Sequence, residues 1–123
     1  MTSPLTQSVV PGVQIDAERI RETCVRVIWE PLPPSDEERT RLVGHLRGHI
    51  QLLLPEVVVR LPNLRGKWPK TADYVISRAR AALDTDIAQL RSTCRMQSMA
   101  TWCHSLLILH EQPVADAPSP AER

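Results

Sequence analysis

Leu42, Leu46, Ile50, Leu53 and Val57 step along the chain by four, four, three and four residues. At about 100° per residue that spacing places all five on one side of an α-helix, and no strand of period two can present them together. Val43 and Leu54 widen the stripe. A start signal stands just before it: Ser35 with Glu38 three residues on is the capping-box pattern, and Asp36, Glu37 and Glu38 suit the positive end of the helix dipole. Pro55 falls inside the stripe, where it lacks an N–H and crowds the preceding turn, so the chain either bends there or restarts as a short helix from Glu56 to Leu61.

Proline divides the rest. Pro31, Pro33 and Pro34 precede this region, and Pro62 to Pro69, with Asn63 and Gly66, follow it. Upstream, Asp16 is a candidate N-cap for a helix of about four turns carrying Ile20, Cys24, Val27 and Ile28, stopped by Trp29 and the prolines. Downstream, from Thr71, Ala72, Ile76, Ala79, Leu83, Ile87, Leu90 and Cys94 hold one helical phase. Met96, Met99, Cys103, Leu106, Leu107 and His110 then hold the opposite one. One straight helix cannot bury both, so a break is expected, capped at Asp84 to Asp86 or at Ser92 to Thr93. The expected fold is all-α: a compact antiparallel bundle of about four helices over residues 15–112, with disordered Pro-rich tails at 1–14 and 113–123.

Composition agrees. A chain of 123 residues supports one modest core, and with no Phe and one Tyr that core must come from aliphatic residues and Met. A net charge of +1 gives no long-range field toward nucleic acid or an anionic membrane, and no apolar run reaches membrane-spanning length. An odd set of cysteines, Cys24, Cys94 and Cys103, without a CxxC pair argues against a disulfide framework. The N-terminus lacks the pattern of a signal peptide, so the expected compartment is the cytoplasm.

Three stretches could carry chemistry. In GHLRGHI, residues 44–50, His45 and His49 stand one turn apart and point to the same side, as two imidazoles sharing a metal ion must. No HExxH, no CxxC and no fixed third carboxylate accompanies them, so a third ligand would have to arrive from Cys24, Cys103, His104 or His110 through the fold, and packing at the margin of the core is the favoured role. No cofactor is expected. Gly44 and Gly48 line one narrow face, and each costs about 1 kcal/mol against Ala in a helix interior. Close approach of another helix, this chain's first helix or a partner's, would compensate.

The basic stretch RLPNLRGKWPK, residues 60–70, sets Arg60, Arg65, Lys67 and Lys70 around Trp68 and could contact a phosphate or stack a base. The near-zero net charge and the lack of a nucleic-acid fold motif weigh against that use. Nothing resembles a catalytic constellation: there is no GxSxG, and the sequence neighbours Cys103 and His104 diverge by about 100° on a helix.

The stretch LVGHLRGHIQLLLPEV, residues 42–57, resembles the central motif of a small actinobacterial, Streptomyces-type family labelled as natural-product-biosynthesis proteins. The likeness is specific at Arg47, Gly48, His49, Leu53, Leu54, Pro55, Glu56 and Val57, and continues more weakly through SRARAALD and MATWCHSLLILHE to about residue 111. It departs from the family pattern in a shorter region between Leu83 and Met96 and in the basic run from Arg65 to Lys70. The resemblance implies a genomic setting and no reaction. Within the motif, Arg47, His49 and Glu56 are the polar residues to watch. The expected function is that of a non-enzymatic accessory protein in natural-product biosynthesis, meeting a protein partner or a second copy through the helix face around Gly44, Arg47 and Gly48. The alternative is a small-ligand or metal site using His45, His49 and Glu56.

Overall fold

Side-chain caps open the first two helices. In the computed structural model, which describes residues 15–113, Asp16 Oδ1 accepts the Arg19 N–H at 3.1 Å and opens α1 (Ala17–Trp29). Ser35 Oγ accepts the Glu38 N–H at 3.2 Å and opens α2 (Asp36–Arg60). A 3₁₀ turn over Leu61–Asn63 and a turn at Gly66, whose φ of 62° a side chain would strain, lead into α3 (Trp68–Leu83). This helix starts three residues before the expected Thr71, because Pro69 lies in the first turn, where a missing N–H leaves no bond unmade.

The break between the two opposed stripes falls at both candidate positions, but only Ser92 makes a side-chain cap bond; Asp86 stands before α4 without one. After Leu83 the chain turns at Asp84, re-enters a single helical turn, α4 (Ile87–Leu90), and restarts as α5 (Thr93–His110), where Ser92 Oγ accepts the Arg95 N–H at 3.3 Å. The expected single phase from Ala72 to Cys94 therefore ends near Leu83: Leu90 is buried, while Ile87 and Cys94 face outward. α2, by contrast, continues through Pro55 instead of restarting at Glu56. Pro55 and Gln51, the residue whose carbonyl loses its donor, are both exposed, so water can satisfy that carbonyl.

The packing order follows from long-range hydrogen bonds. Arg39, near the start of α2, donates to the Arg91 carbonyl at 3.0 Å and to Thr93 Oγ1 at 3.2 Å, and Arg60, at the end of α2, donates to the Gln112 carbonyl. Start meets start and end meets end, so α2 and α5 run parallel. Arg21 in α1 pairs with Glu111 beyond the end of α5 at 2.7 Å, and Arg47 in mid-α2 reaches the Leu83 carbonyl at the end of α3, so α1 and α3 run the other way. This is the expected up-and-down bundle, all-α, with four substantial helices and no strand among the described residues. α5 packs against α1, α2 and α3, and its buried Met96, Met99, Cys103, Leu106 and Leu107 meet Leu46, Ile50, Leu53 and Val57 of α2 in one core. The expected tails, apart from Pro113, lie outside the described residues.

Candidate functional site

Burying the aliphatic stripe turns the opposite side of α2 outward. On a helix, Arg41, Gly44, His45, Gly48, Leu52, Pro55 and Val59 fall within about 60° of one direction. Arg41, Gly44, His45, Leu52, Pro55 and Val59 are all exposed, and Gly48 is half-buried. Gly48 lies near the middle of this ridge and Gly44 at its edge. A Cβ added at Gly44 or at Gly48 would meet no atom of a neighbouring element within 4 Å. The close approach by the first helix expected from their spacing is therefore absent; α1 packs elsewhere on α2, toward the His49 side.

The motif's polar residues fall on opposite flanks. On one, Arg47 is half-buried and its Nη1 donates to the Leu83 carbonyl at 2.9 Å, capping the last residue of α3, while the Arg80, Ala81 and Ala82 carbonyls accept from Asp84 and Thr85. Arg47 thus works inside the fold, beneath the ridge. On the other flank, His49 is half-buried, and burial lowers its pKa below the ordinary imidazole value, helped by the charges of His45 and Arg19 and opposed by Asp16. His45 lies a turn away and shares a notch of about 100 Å³ with Arg26, Arg41 and Glu38, between the end of α1 and the start of α2.

Because α2 runs unbroken through Pro55, Glu56 stays on the flank of His49, but seven residues of helix separate the two by about 10 Å along the axis. No group of three His, Cys, Asp or Glu residues among those described is placed to hold a metal ion. Cys24 and Cys103, offered as distant ligands, are buried in the core instead.

The basic stretch divides as well. Arg60 turns inward to the Gln112 carbonyl, and its Nε is buried without a hydrogen-bond partner, as is His110 Nδ1. Arg65, Lys67, Trp68 and Lys70 are exposed.

A family model described as a family of unknown function (DUF6415) matches residues 18–114. The chain belongs to DUF6415. The DUF6415 match starts in the first turn of α1 and runs past the end of α5, so it spans the whole bundle, the ridge of α2 included. No curated protein and no solved structure matches the chain.

Sequence reasoning missed Arg39 and Arg91 altogether. Arg39 also donates through Nε to the Pro33 carbonyl at 2.6 Å, and Arg91 returns a bond to Thr40 Oγ1 at 3.3 Å, so the pair laces the start of α2 to the start of α5. Apart from Pro33, their partners lie more than fifty positions away in sequence, and no local motif announces them.

Proposed function

We propose that this chain is a non-enzymatic helical interaction protein, an accessory to natural-product biosynthesis, that receives an amphipathic helix of a protein partner or of a second copy along the ridge of α2. The observation that carries the reading is the open space above Gly44 and Gly48. Two glycines inside a 25-residue helix cost about 1 kcal/mol each, and no contact within the described residues uses the missing side chains. A helix laid across them from outside could approach to the short end of the usual ~8–10 Å separation. Beyond the glycines the ridge offers Leu52, 40% exposed, and Val59, 73% exposed, as apolar anchors, and before them Arg41 and the notch beside His45. The biosynthetic setting rests on the resemblance of residues 42–57 alone.

Substitution separates the folded chain from its use. Gly44→Ala and Gly48→Ala should each raise the stability of the isolated chain by about 0.5–1 kcal/mol in denaturant melts, since nothing nearby must move. Gly48→Leu should keep the helical circular dichroism but weaken self-association in light scattering, or capture of the partner. Unchanged assembly and unchanged capture with Gly48→Leu would remove the proposal.

A further inference from the structure

A second concavity lies away from the ridge. The C-terminal half of α3 and the N-terminal half of α5 flank a cleft of about 370 Å³, within the ~300–1,000 Å³ usual for small-molecule sites. Met99 and Leu90 supply its apolar floor, Ser98 a hydroxyl, and Trp102 an aromatic wall. Arg78 and Arg95 are its charged members, and its lining holds no Asp or Glu. Arg78 is held in place: its guanidinium sits 5.2 Å from the Tyr74 ring centroid, and Tyr74 meets Trp102 edge-on at 5.7 Å and 79°. Neither cleft arginine has a carboxylate partner among the described residues, whereas Arg21 pairs with Glu111 and Arg39, Arg47 and Arg60 are engaged by carbonyls.

We infer that this cleft binds a small amphipathic anion, a molecule with a flat apolar body and one carboxylate. The body lies on Met99 against Trp102, which suits planar apolar surface, and the carboxylate meets the guanidinium groups of Arg78 and Arg95, whose donor geometry matches two oxygens. Ser98 supplies a further donor. None of the ridge residues of α2 lines this cleft, so the two proposals stand or fall separately.

The test compares three molecules of one shape: naphthoate, the neutral naphthamide and the cationic naphthylmethylamine. Each is titrated into the full chain by calorimetry. In parallel, alkylation of Cys94, an exposed thiol of the lining, is timed with and without each compound. Naphthoate should bind, slow the alkylation of Cys94, and outcompete the amine by at least about tenfold. Arg95→Gln alters an exposed side chain and should leave the thermal melt in place, while weakening naphthoate by roughly tenfold and naphthamide hardly at all. Ser98→Trp, which fills the cleft, should abolish protection of Cys94 by either. Equal affinity for anion and cation, no protection of Cys94 at about 1 mM naphthoate, or naphthoate affinity unmoved by Arg95→Gln would each overturn the assignment.

Discussion

His49 is the residue at which the surroundings work against a proton. Burial disfavours its charged form first, the charges of His45 and Arg19 add to that, and Asp16 offsets only part. The folded-state pKa is lowered, so below the ordinary value of 6.5 the unfolded chain binds the proton more readily than the folded one, and stability falls as pH drops through that value toward the depressed one. Thermal melts between about pH 7 and about pH 5 should show this loss, and His49→Gln should flatten it. An unchanged slope in the variant would assign the effect to other groups. The cysteines differ as sharply. The Cys103 thiol donates a hydrogen bond to Cys24, and that bond together with burial holds it well above its ordinary value, whereas Cys94 is exposed. A thiol reagent at neutral pH should therefore modify Cys94 alone, with Cys24 and Cys103 reacting only on unfolding. Early reaction of a second thiol would contradict the packing of α1 on α5.

Among the elements, α2 does more than contribute a core face. Arg47 caps α3 at Leu83 and Arg39 holds the start of α5, so α2 pins both edges of the irregular segment from Asp84 to Ser92. Arg47→Met keeps the apolar stem and removes the donor. It should cost about 1–2 kcal/mol in denaturant melts and quicken amide exchange around residues 80–86, while exchange in α1 stays slow. The helices themselves were legible because their signals are local: the Ser35 cap, the aliphatic stripe of α2 and the phase reversal before Met96 each lie within a few turns of chain. The break after Leu83 could be placed only at two alternatives, since either position satisfies the phase change, and the chain interrupts its helix at both, with a side-chain cap at Ser92 alone. The site was legible in part. Gly44 and Gly48 stood out by their rarity, but whether a neighbouring helix fills the space above them is a tertiary fact. Arg47 stood out as a motif residue, yet its partner lies 36 positions on, beyond any periodicity. The cleft arginines carry no pattern; Arg78 and Arg95 line one cleft only because α3 and α5 pack side by side.

At the scale of the molecule, α2 and α5 form a parallel central pair with α1 and α3 against them, and the seams are closed chiefly by guanidinium groups on main-chain oxygens. The exposed Arg21–Glu111 pair, with side chains 43% and 41% exposed, contributes at most about 1 kcal/mol and is screened by salt. Melting temperature should accordingly shift little between low ionic strength and about 1 M sodium chloride, and a steep fall would show that surface ion pairs matter more than these seams. An amide oxygen, unlike a carboxylate, takes up no proton in the range where side chains titrate. The latches of Arg39, Arg47 and Arg60 thus keep their acceptors when acid has neutralised every Asp and Glu, which leaves the half-buried imidazole of His49 as the natural first point of failure on souring.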